Sequence, residues 1–94
     1  MSYWVEYSDM NGIRENLMVD SITDARRKAL NVCKGSRSKD ADARIYSGPY
    51  SNNPVGEIFC SRMTKRWIWR SFDKWGIMRC NWYLDGSGRL KGTA

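Results

Sequence analysis

Only one stretch of the 94-residue chain, Ile22 to Lys34, spaces its apolar residues for a helix. Ile22, Ala25, Ala29, Val32 and Cys33 fall within about 100° of one helical face, with Thr23, Arg27, Asn31 and Lys34 opposite. Elsewhere the sequence alternates with period two or carries turn residues. A lone amphipathic helix must bury its face against a sheet, and strands joined by short turns pair antiparallel. The expected fold is therefore α+β: a single small domain in β-β-α-β-β-β-β order, an antiparallel sheet with one helix packed on one face. The helix is bounded by Ser21 and Asp24, a capping-box pair, and by Gly35, a natural helix stop. Its two alanines let it lie close to the sheet.

The strands follow from alternation and turn chemistry. Tyr3 to Tyr7 and Ile13 to Val19 flank Asn11-Gly12, which predicts a hairpin over residues 3–19. Its inner face is Tyr3, Val5, Tyr7, Ile13, Leu17 and Val19. Its outer face is Glu6, Arg14, Asn16 and Asp20, with Trp4 and Met18 standing among them. A third strand is expected over about 43–46, followed by a loop to Gly56 that holds Pro49, Pro54 and Asn52-Asn53. Further strands are expected over 57–63, 66–72 and 77–84. In the last of these Met78, Cys80, Trp82 and Leu84 form the core face. Asp85-Gly86-Ser87-Gly88 reads as a tight turn, Arg89-Leu90 is placed to add a final pairing, and Lys91 to Ala94 is expected to fray.

The absent chemistry narrows function more than the present chemistry does. The chain has no histidine, which removes the commonest general base, the commonest metal ligand and every Ser-His or Cys-His nucleophile arrangement. Three widely spaced cysteines, Cys33, Cys60 and Cys80, do not make a closed zinc site, and Gly86-Ser87-Gly88 lacks the context of a nucleotide-binding loop. No catalytic residue, metal or cofactor is expected, and neither is an enzyme. A Cys60–Cys80 bridge between neighbouring strands stays open, although a buried free thiol is the commoner state. The opening Met-Ser-Tyr-Trp-Val-Glu-Tyr has no leader pattern, and no run approaches the length of a membrane span. The expectation is a cytoplasmic protein without membrane contact.

Charge supplies the positive signal. The net charge is +6, and it is lopsided: residues 1–47 hold eight Lys/Arg against seven Asp/Glu, residues 48–94 eight against three. Between Ile58 and Phe72 lie Arg62, Lys65, Arg66 and Arg70 and no acid. As a strand, Lys65 to Phe72 carries Trp67, Trp69 and Ser71 on one face and Arg66, Ile68, Arg70 and Phe72 on the other. Two tryptophans about 7 Å apart, flanked by cations, suit stacked bases and neutralised phosphates. The leading expectation is a non-enzymatic module for single-stranded or structured nucleic acid. Trp67 and Trp69 would stack, and Arg62, Lys65, Arg66, Arg70, Lys74 and Arg79 would meet phosphates.

Three other readings stand beside it. Trp67 and Trp69 facing the helix would simply fill the core. The same aromatics and arginines, or Trp4 and Met18, suit a protein partner or a homodimer. A cleft between the Gly48 to Gly56 loop and the sheet, with Tyr50 and Trp75, suits a flat ligand.

Overall fold

A computed structural model of the chain describes residues 2–8, 14–35, 41–48 and 53–94. Seven strands and one helix follow in the order β1 (Tyr3–Ser8), β2 (Arg14–Val19), α1 (Ile22–Gly35), β3 (Asp42–Tyr46), β4 (Gly56–Cys60), β5 (Trp67–Phe72), β6 (Met78–Leu84) and β7 (Leu90–Thr93). The sheet order is β2-β1-β3-β4-β5-β6-β7, with every neighbouring pair antiparallel. Because β2 and β3 both run against β1, they run parallel to each other, and the helix is the crossover that joins them. The expected fold class holds, and the Cα radius of gyration is 12.2 Å.

The helix starts as its sequence dictates. Ser21 Oγ accepts the Asp24 amide at 3.1 Å, the Ser21 carbonyl accepts Ala25 N–H at 2.9 Å, and Arg27 closes on Asp24 at 2.6 Å. Gly35 is its last residue rather than a cap outside it. The buried stripe is broader than expected: beside Ala25, Ala29 and Cys33 it takes in Leu30, 1% exposed, and Arg26, 9% exposed, whereas Val32 is only half-buried. A helix lying over several strands buries more of its circumference than a narrow stripe.

Under it sit Val5 and Tyr7 of β1, Ala43 and Ile45 of β3, Ile58 of β4 and Trp69 of β5. The register lines these up: Val5 opposite Ile45, Ala43 opposite Ile58, Ile58 opposite Trp69 and Trp69 opposite Trp82. Small residues on helix and β3 leave volume that the Trp69 indole fills. Its ring lies directly over Gly56, where a Cβ would overlap it, so this glycine makes room for a side chain rather than a turn.

The C-terminal meander departs from expectation in four places. The fourth strand ends at Cys60 rather than running to residue 63. Ser61 and Arg66 close a turn through Ser61 N–H to Arg66 O at 2.9 Å and Lys65 N–H to Ser61 O at 2.8 Å, with Lys65 at φ 62°. Met63, apolar and in phase with the strand, sits at the tip and is 95% exposed. The fifth strand begins at Trp67, one residue after the expected start. A register shift between Ser71 and Phe72 turns Met78 out of the core series, leaving it 52% exposed while Trp82 and Leu84 keep their core contacts. The final pairing expected at Leu90 forms opposite Leu84, and the residues expected to fray continue it as β7, paired to β6 and closed by Ala94 N–H to Asn81 O at 2.9 Å.

Two turns in this meander share one design. In Asp73 to Ile77 and again in Asp85 to Arg89, the aspartate carboxylate accepts two later backbone amides. A glycine at positive φ, Gly76 at 79° and Gly88 at 85°, completes each loop. Asn11-Gly12, Ile13, the polar connector 36–40 and Tyr50 lie outside the described residues.

Candidate functional site

The helix covers one face of the sheet, and no second helix lies across the other among the described residues. Side-chain parity therefore decides every candidate. Trp69 goes under the helix and is 4% exposed; Trp67 is half-buried against the same core. The Arg26 guanidinium lies 5.5 Å from the Trp69 ring centroid. It also donates to Gly88 O at 2.8 Å and to Thr23 Oγ1 at 3.3 Å. Burial pulls the Arg26 pKa below the usual arginine value, with Tyr3 opposing the shift. In this packing Trp69 has no surface left for a base: only one face is covered, and Trp69 shares its parity with Ile58 and Trp82.

The open face is organised in rows across the strands. Glu6, Arg44, Glu57, Arg70 and Asn81 stand opposite one another in register from β1 to β6. Arg70 Nη1 meets Glu57 Oε1 at 3.2 Å, Arg44 Nε meets Glu57 Oε2 at 3.8 Å, and Arg70 Nε donates to Asn81 Oδ1 at 3.3 Å. One apolar row, Phe59, Ile68 and Tyr83, lies to one side of the charges. On the other side Met18, Trp4 and Tyr46 align.

The arginines cover the first apolar row. Arg66 stands 3.7 Å over the Tyr83 ring centroid and Arg70 4.6 Å over Phe59. Ile68, flanked by Phe59 and Tyr83, is only 8% exposed although it lies outside the helix-side core.

The six expected phosphate-contacting residues separate into three places. Arg62 and Lys65 are exposed on the β4–β5 turn, with Arg66 next to them. Antiparallel order puts Arg89, on the β6–β7 turn, at that same end. Arg70 lies mid-face. Lys74 and Arg79 lie at the far end, beyond a six-residue strand of roughly 20 Å. There Arg79 meets Asp73 at 3.3 Å and Lys74 Nζ sits 4.5 Å from the Trp75 ring centroid. They do not form one track with the others.

Reading by residue type missed Phe59, Tyr83 and the Glu6 to Asn81 row. The signal that points to them is the shared parity of Arg66, Ile68 and Arg70, carried across the neighbouring strands.

A groove of about 440 Å³ is lined by Ser47, Asn53, Pro54, Val55, Phe72, Asp73 and Lys74, on the side of the sheet where the sequence suggests a ligand cleft. Trp75 does not line it and is 66% exposed. The three cysteines are free thiols, without a Cys60–Cys80 bridge. Burial, helped by Asp42, pushes the Cys33 thiol up to about 12, which keeps it unreactive. Among the described residues no three His, Cys, Asp or Glu side chains gather to hold a metal, and no helix is long and apolar enough to cross a membrane.

No family model matches the chain, and no curated protein or solved structure matches it.

Proposed function

We propose that the domain is a non-enzymatic module that binds single-stranded or unpaired nucleic acid at the Arg62–Arg66 end of the open face. The observation that carries this reading is the exposed Arg66 guanidinium stacked 3.7 Å over Tyr83, beside the exposed cations of the β4–β5 turn. A guanidinium backed by an aromatic ring is held flat. It offers its outer plane to a base and its N–H groups to phosphate, while Arg62 and Lys65 supply further neutralisation. The stacking role expected of Trp67 and Trp69 passes to Arg66, with the Tyr83 ring behind it. The free thiols suit a reducing, cytoplasmic compartment.

Fluorescence anisotropy with short DNA and RNA strands over a salt series tests this. Affinity is expected to fall linearly with log salt, and R66A to reduce that slope by about 0.7. Binding that is absent at low salt, or indifferent to R62A, K65A and R66A together, would retire the reading.

A further inference from the structure

The centre of the open face does not suit a polyanion. Its charges alternate from strand to strand: Glu6 on β1, Arg44 on β3, Glu57 on β4 and Arg70 on β5. Two carboxylates in that row repel phosphates. The Arg44 and Glu57 side chains are 52% and 15% exposed, their mutual approach is a loose 3.8 Å, and Met18 in the adjoining apolar row is 63% exposed. A surface of this kind calls for a partner with the same alternation, and the chain itself has one.

We propose that the open face joins a second copy of this chain in a face-to-face, two-fold symmetric sandwich. A row of signs minus, plus, minus, plus becomes its own complement when reversed. A two-fold axis in the interface, parallel to the strands and between β3 and β4, performs that reversal. Arg44 then lies opposite Glu57 of the second copy, and Glu6 opposite Arg70 of the second copy, each pair occurring twice. The interface is isologous, and both contacts follow from one operator. A two-fold axis across the strands would instead set Glu6 on Glu6 and Arg44 on Arg44. Charge thus selects one orientation of the two.

The same operator keeps the rows in step. Trp4 of one copy lies opposite Phe72 of the other, since the row through Met18, Trp4 and Tyr46 continues past Val55 to Phe72, whose amide bonds the Val55 carbonyl at 3.0 Å. Sheets about 10 Å apart bring such side chains into contact, and a twist of about 30° between them is the ordinary aligned packing. Positions along the strand are preserved, so the Arg62 to Arg66 turns of both copies arrive at the same end. The inference does not rest on nucleic-acid binding: the sandwich covers Phe59, Ile68 and Tyr83, so a second copy and a base stacked on Arg66 compete for the same face.

Light scattering or sedimentation equilibrium on the full chain tests the proposal. The expected mass is twice the 10.9 kDa of the monomer, falling toward the monomer as salt rises. R44E and E57R, each alone, set like charges across the axis and should raise the dimer dissociation constant about tenfold or more. Mixing the R44E and E57R chains pairs every position with its opposite sign again, so a heterodimer should form where neither chain self-associates. Circular dichroism and melting curves confirm that each variant folds. Should either charge reversal unfold the chain, Met18→Asp, at an exposed position outside the charged row, is expected to weaken association in its place.

A wild-type chain that stays monomeric at its solubility limit would overturn the proposal. So would self-association unmoved by R44E, E57R and M18D, or a mixture of the two charge reversals that yields no heterodimer. A monomer whose Met18 and Tyr46 signals shift on adding oligonucleotide would give the face to nucleic acid instead.

Discussion

Arg26, near the start of the helix, donates from Nε to the Gly88 carbonyl at 2.8 Å across 62 residues of chain. This bond ties the β6–β7 turn to the helix. The same guanidinium lies 5.5 Å from the Trp69 ring centroid, and Trp69 in turn covers Gly56, so one buried cation links the helix, a turn and two central strands.

Replacing Arg26 by Met leaves the Gly88 carbonyl without its donor and removes the cation from the indole. A charge-assisted bond in a buried setting makes this cost about 2–3 kcal/mol. Urea unfolding followed by Trp fluorescence measures it, and R26K is expected to recover less than half, because an ammonium lacks the planar fork. A variant as stable as the parent would show that the bond contributes nothing net.

Two glycines should resist alanine for different reasons. At Gly88, φ is 85° and an added Cβ would meet the Arg27 amide nitrogen at 2.6 Å, backbone that does not yield. At Gly56 the backbone is ordinary, but the methyl would displace the Trp69 ring. Both should destabilise by about 1–3 kcal/mol. Only G56A is expected to shift Trp emission to the red, because only there does an indole leave the core.

Trp69→Ala should cost about 3–5 kcal/mol, the usual range for emptying a buried aromatic site, and Trp67→Ala, half-buried at the margin, clearly less. Neither change should alter the salt slope of oligonucleotide binding. Thermal melts paired with anisotropy separate the two effects. A loss of affinity in well-folded W67A would return that ring to the binding surface.

Cys33 predicts an alkaline limit. Its pKa is raised from 9.0 to about 12 by burial and then by Asp42. The folded thiol therefore keeps its proton where the unfolded one has lost it. Stability from this group is complete below pH 9 and declines between about pH 9 and pH 12, the sign set by the unfolded state binding fewer protons. Urea midpoints of C33A and the parent compared across that window measure the difference. Alkylation of native protein at pH 8 should spare Cys33.

The fold class, the helix and most strand positions are legible in the sequence because they rest on local periodicity. Ile22 to Lys34 repeats at helical spacing and the strands alternate by two. The Asp73 and Asp85 turns carry their chemistry in neighbouring residues. Alternation alone also sets Trp67 and Trp69 on the opposite side of their strand from Arg66 and Arg70. It does not say which set the helix covers, since a two-faced strand reads the same either way. That choice came from tertiary packing: the alanine-lined helix face and Gly56 leave a space that Trp69 fills, which turns Arg66 and Arg70 onto the open side. The pairing of Arg66 with Tyr83, the ionic row from Glu6 to Asn81, and the capture of the tail as β7 depend on registers between distant strands. Buried Arg26 belongs with them, because its partner, Gly88, lies 62 positions away in the chain and comes within reach only when the sheet has formed.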